Sequence, residues 1–182
     1  MEEFVLSNLL NGRSEKIENE KEKLCYDILD NLNINYQRVE YNFFPNDIES
    51  LKRIDDKLEV KGIKNLIFKT KNKNQFFFIV IPSEERFDEK NYRTKYELPK
   101  ISMASKDDLK ELLNTHSEAV SIMELINDTN NAIKLFIDEK ILNEQFFRFH
   151  PNENNSTVRI SMQDLKDKLI PYLKHEINVL FK

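Results

Sequence analysis

The sequence predicts an α+β protein: one mixed, mainly antiparallel β-sheet with helices around it. Three observations lead there. Helix-like and strand-like stretches alternate, but without the regular β-α-β rhythm of a parallel sheet. Two apolar runs, 65–70 and 75–81, flank Lys71-Asn72-Lys73-Asn74 and read as a hairpin. The chain has 182 residues, 40% of them hydrophobic, which is enough for the core of one domain and at most a small appendage.

Residues 1–13 are a short apolar lead with Phe4, Val5, Leu6, Leu9 and Leu10, read as a docking helix or a partner-binding arm ahead of a domain over 14–182. Ser14 is a candidate cap, and Ile17, Leu24, Cys25, Ile28, Leu29 and Leu32 recur at helical spacing, so a helix is expected from Ser14 to about Asn33. Residues 36–41 alternate like a strand. A helix follows from Asp47 to about Leu58, after Pro45 and Asn46 interrupt the chain. The first hairpin strand is 65–70. The second, 75–81, is so apolar that it must be central or buried on both faces. Residues 83–100 are charged and irregular around a short element.

A brief strand at 101–104 leads to Ser105, which caps a helix with acids in its first turn and an end near Asn114. A short helix is expected at 121–126 and strands at 132–137, 146–149 and 157–160, with 154–156 as a turn. Ser161 caps a helix reaching about Leu173, and the apolar tail 177–181 packs back on the body. No internal repeat is present and no linker is long enough to split the chain.

Composition narrows the function classes. A net charge of −4 does not suit a protein that coats nucleic acid non-specifically, although one RNA end can be held by a local patch. Lys61, Lys64, Lys69, Lys71 and Lys73 form such a patch, or else the solvated tip and outer face of a hairpin. Cys25 is the only cysteine, lies on the apolar stripe of its helix and reads as core; this suits a reducing cytoplasm. No stretch approaches the roughly 18 apolar residues of a membrane span, and Glu2 and Glu3 do not begin a secretory signal. With only Gly12 and Gly62 there is no glycine-rich phosphate loop. His116, His150 and His175 lack metal-ligand spacing, and nothing supports a nucleophilic triad. No cofactor is expected.

What remains is Lys64 and Asn65 at the start of one apolar strand, and His150 with Asn154 at the end of another. Taken singly, each is as readily a solvated lysine or a turn residue. The combination Lys64-Asn65-Leu66-x-Phe68 with its hairpin, Ser102-Met103-Ala104-Ser105 before a Leu-rich helix, Val120-Ser121-x-x-x-Leu125-Ile126-Asn127-Asp128, and Phe149-His150-Pro151-x-x-Asn154-x-x-Thr157 resembles the YbaK/prolyl-tRNA-synthetase insertion-domain family. The resemblance runs in order from about residue 22 to 174, and within the family it is nearest to free-standing deacylases that remove alanine from tRNA(Pro).

That resemblance implies a YbaK-like fold and hydrolysis of amino acids wrongly attached to tRNA. Lys64 would hold the 3′-terminal adenosine through phosphate, as a compact cation. Asn65 would hydrogen-bond the aminoacyl carbonyl or the attacking water, and His150 would line the pocket and position the ester. The family's chemistry is thought to use the ribose 2′-hydroxyl and a bound water rather than a protein nucleophile, so catalysis is positioning plus oxyanion stabilisation. A pocket too small for proline admits alanine, which a proline site cannot firmly reject by binding alone. Glu118, Ser121, Ile122 and Asn154 would contact substrate. Implied partners are the aminoacylated 3′ end of tRNA, tRNA(Pro) foremost, and prolyl-tRNA synthetase, with no DNA and no membrane.

Alanine-type members carry a Gly-x-x-x-Pro loop where this chain reads Glu118-Ala119-Val120-Ser121-Ile122, without that glycine and proline. Glycine permits close backbone approach and proline stiffens a loop. The change motivates two other readings, a deacylase for Cys-tRNA(Pro) or another small ester, and a binding module for aminoacyl-tRNA or a synthetase without turnover.

Overall fold

In the computed structural model, residues 3–17, 19–45, 47–71, 75–116, 120–151 and 155–181 are described. The strands form two sheets rather than the single one expected. The first has four antiparallel strands in the order β1 (Leu10–Asn11), β2 (Tyr36–Glu40), β8 (Ser156–Ser161) and β7 (Phe146–Phe149). The second has five strands in the order β5 (Ile101–Met103), β3 (Ile63–Thr70), β4 (Phe76–Pro82), β6 (Ile133–Asp138) and β9 (Ile177–Leu180). Its hairpin half is antiparallel, while β4–β6 and β6–β9 are parallel. The α+β class holds. The sheet divides because the chain leaves β2 through a helix and only returns to pair with it at β8.

Burial explains the arrangement. β4 is buried at all seven positions because it lies between β3 and β6, with layers on both faces. Its Phe78 and Val80 enter the core shared by both sheets, along with Leu135 and Ile137 of β6, Phe147 and Phe149 of β7, and Val158 and Ile160 of β8. Phe77, Ile79 and Ile81 point the other way. There they meet Tyr92 of α3 (Glu89–Lys95) and Phe136. The outer face of the four-stranded sheet presents Val39 to Ile54 and Leu58 of α2 (Ile48–Leu58), and Tyr41 just past β2 and Phe4 of the lead join that cluster.

Most helix signals hold. Asp47 caps α2, and Ser105 with Asp108 makes a capping box on α4 (Lys106–Leu113). Ser121 with Glu124 makes another on the 3₁₀ helix Ile122–Asn127. The segment from Ser161 to about Leu173 is helical as expected, with a π-helical stretch at Leu165–Leu169.

The helix expected from Ser14 instead begins at Glu20, capped by Asn19, and runs to Asn31 as α1. Residues before it are drawn onto β2: the Ser14 hydroxyl donates to Glu40 Oε1 at 2.7 Å, and the Arg38 guanidinium donates to the carbonyl of Gly12. Leu24, expected on the buried stripe, is 43% exposed; Tyr26 is buried and stacks on Tyr36. Cys25 is core, as expected. Nor is the lead a docking helix, since Leu10–Asn11 is a strand and Leu6 bridges to Tyr41. The tail packs back as β9. The hairpin turn residues 72–74, and Asn154 of the later turn, lie outside the described residues. Among the described residues no helix is long and apolar enough to cross a membrane.

Candidate active site

β3 delivers two adjacent polar residues, and adjacent strand positions face opposite ways. Asn65 lies opposite Val80 and shares its face with Ile67, toward the core between the sheets; Lys64 lies opposite Ile81, on the other face. The contacts agree. Lys64 Nζ donates to the backbone carbonyls of Glu85 and, at 3.2 Å, Ser83, just beyond the end of β4. Asn65 Nδ2 donates to the carbonyl of Val120 at 2.8 Å. A carbonyl only accepts, so the amide orientation of Asn65 is fixed by chemistry. Its Oδ1 is buried and without a partner among the described residues.

The Val120 contact leads to the rest of the site. Next in chain, Ser121 is fully buried, and its hydroxyl donates to the carbonyl of His150 at 2.7 Å. Its N–H donates to Glu124 Oε2 at 2.6 Å, and Glu124 Oε1 receives the Thr115 hydroxyl at 2.8 Å. The start of β3, the 120–121 segment and the end of β7 are thereby joined by two side-chain-to-backbone bonds. Ile122 is 1% exposed and belongs to the shared core. Ser121 thus bears on the site through His150, and Ile122 through packing. Glu118 and Asn154 lie outside the described residues.

His150 follows β7. Its Nδ1 lies 3.2 Å from the carbonyl of Ser156, with Tyr41 Oη at 3.4 Å. Tyr41 spends its single proton on that same carbonyl, at 2.9 Å. A carbonyl only accepts, so the Ser156 contact favours the neutral tautomer with the proton on Nδ1 and the lone pair on Nε2, with the Thr157 hydroxyl 3.5 Å from Nδ1. Burial, and then the positive charge of Arg148, pull the His150 pKa down to about 4, against the Ser156 contact. Phe44 meets the ring edge-on, 5.3 Å between centroids. Among its described residues the site thus offers two uncharged acceptors, Asn65 Oδ1 and His150 Nε2.

Two buried residues that sequence reading did not single out touch this frame. Tyr41 is one. Arg148 is the other: its Nε lies 2.9 Å from Asp55 Oδ1, and its Nη2 donates to the carbonyl of Ile63 at 3.3 Å. Burial pushes Asp55 up to about 6, and Arg148 opposes the rise. The available signal was a lone arginine inside Phe146-Phe147-Arg148-Phe149, an apolar strand.

A family model described as the aminoacyl-tRNA editing domain matches residues 47–168. The prolyl-tRNA editing protein ProX of Acetoanaerobium sticklandii is 30% identical over 138 residues, covering 76% of this chain and 84% of that protein. Among solved structures, the hypothetical protein APE2540 superposes with a TM-score of 0.64 at 14% identity, over 87% of this chain and 97% of its own. A candidate trans-editing enzyme for prolyl-tRNA synthetase does so at 0.62 and 11% identity, over 91% and 99%. At those identities the two structures speak for the fold alone.

Proposed function

Because this chain belongs to the aminoacyl-tRNA editing domain family, and is thereby an aminoacyl-tRNA deacylase, we propose that its substrate is tRNA(Pro) mischarged with alanine, cleared in trans. The observation that carries the chemistry is the link from Asn65 through the Val120–Ser121 segment to the His150 backbone, with an acceptor on Asn65 that no described residue uses. Water attacks the ester carbonyl carbon, the bond to the ribose 3′-oxygen breaks, and that oxygen leaves with a proton as the 3′-hydroxyl. Free amino acid and tRNA result.

Asn65 Oδ1 accepts from the attacking water or the ribose 2′-hydroxyl, and His150 Nε2 takes the second donor. A ring with so low a pKa orients a proton better than it removes one, so rate comes from placement and the substrate's own hydroxyl. Lys64 binds the terminal phosphate after exchanging its hold on the Ser83 and Glu85 carbonyls. Glu118, Ser121, Ile122 and Asn154 shape the amino-acid pocket, directly or through His150. The work is done in the cytoplasm, beside prolyl-tRNA synthetase, without a cofactor.

The 118–122 stretch, which lacks the glycine and proline of alanine-type members, favours a second reading, a deacylase for Cys-tRNA(Pro) or another small ester. Hydrolysis of Ala-, Cys- and Pro-tRNA(Pro) by purified protein, beside Lys64→Ala, separates the readings. Fast loss of alanine with proline spared, and a folded but inactive variant, supports the proposal. Preference for cysteine replaces the substrate, and hydrolysis of none of the three esters overturns the proposal.

A further inference from the structure

We infer that the buried Arg148–Asp55 ion pair is a positioning device: it ties the start of β3 to β7 and thereby sets where Asn65 stands relative to His150. The inference rests on the deacylase reading of that site.

Three elements converge on one guanidinium. Arg148 lies on β7, two residues before His150; Asp55 lies on α2; and the carbonyl of Ile63 lies on β3, two residues before Asn65. Nε lies 2.9 Å from the carboxylate, an ion-pair contact without hydrogen-bond alignment, while Nη2 donates to the carbonyl at 3.3 Å. The rigid planar guanidinium holds the carbonyl by a directed bond while its charge sits against the carboxylate, a pairing of roles that a lysine ammonium on a flexible stem does not reproduce. The start of β3 is shaped to admit the carboxylate. A Cβ on Gly62 would sit 2.5 Å from Asp55 Oδ2 and 2.6 Å from Ser83 Oγ, so a larger residue there must displace those two side-chain ends. The Gly62 carbonyl also accepts from the N–H of Ser83 at 2.9 Å, which fixes the same stretch against the end of β4. Replacing such a buried pair by apolar residues is often neutral or stabilising, so stability alone is a poor account of it. Its reach to both catalytic strands is a better one.

Arg148→Lys and Asp55→Asn, made in the full chain, test this. The readouts are melting temperature, kcat and KM on Ala-tRNA(Pro), and NMR of the Asn65 side-chain amide and the His150 ring. The expected result is a folded Arg148→Lys protein with kcat down at least tenfold, KM within about twofold, and shifted Asn65 and His150 resonances. If that variant fails to fold, the nearly isosteric Asp55→Asn is read by the same criteria. Wild-type kcat with unmoved resonances overturns the inference, as does a loss of rate that only tracks the unfolded fraction. Should the wild-type protein hydrolyse no aminoacyl ester, the deacylase reading fails and the resonances decide alone. Shifts at both residues uphold the positioning role; none refutes it.

Discussion

The proton on His150 Nδ1 has a thermodynamic consequence. An unfolded histidine titrates near 6.5, whereas the folded ring titrates at about 4. Between those values the unfolded chain holds more protons, so folding stability from this group rises with pH; it is fully present above 6.5 and is lost as pH falls toward 4. The effect is on the order of 3 kcal/mol. Asp55, raised to about 6, acts with the opposite sign in an overlapping window, so only the difference between wild type and variant isolates the histidine. Urea unfolding at pH 7.5 and 5.0 should show wild type losing more stability than His150→Gln; equal losses would mean the ring is not held neutral. Asn65 gives a second prediction. In Asn65→Asp the carboxylate meets the Val120 carbonyl with no proton to offer. The substitution should lower kcat on mischarged tRNA about a hundredfold, through a loss of roughly 3 kcal/mol in the transition state, while Asn65→Gln keeps the donor but displaces it.

Single elements matter here mainly at their ends. Ser121 caps the 3₁₀ helix and also holds the carbonyl of His150, so one side chain serves a helix end and the site. Ser121→Ala should cost about 1 kcal/mol in denaturant unfolding and lower kcat more than that loss of stability explains. Ser121→Thr retains the hydroxyl and should restore most of it. The start of β3 is equally exacting: Gly62→Ala forces a methyl group against Asp55 and Ser83, which should cost about 1–3 kcal/mol, checked by the same unfolding measurement.

The lead and tail complete the two sheets of the whole molecule. The lead adds β1 to the edge of β2 and seats Phe4 against Tyr41, at 6.1 Å between ring centroids. Tyr41 in turn donates to the Ser156 carbonyl beside His150. Removing residues 1–13 should lower stability by about 2–4 kcal/mol, chiefly through exposure of Phe4 and the apolar surface beneath it, and should shift the His150 ring resonance. An unmoved resonance would show that the lead stabilises the sheet without bearing on the site.

Local chemistry made several features legible in the sequence alone: the hairpin, the caps at Ser105 and Ser161, the buried β4 and the core position of Cys25. Each depends on neighbours a few residues away, through side-chain period, capping bonds or an unbroken apolar run. The sequence also singled out Asn65 and His150, by their places at strand ends and by family resemblance. Only the tertiary structure decided the rest. It divided the strands into two sheets, moved the first helix from Ser14 to Glu20, engaged Lys64 with the Ser83 and Glu85 carbonyls and brought Arg148 to Asp55. These depend on groups distant in the chain, such as Arg38 with Gly12 or Arg148 with Ile63, whose meeting is set by packing and by the need to pair buried charge. No periodicity within one segment carries that information.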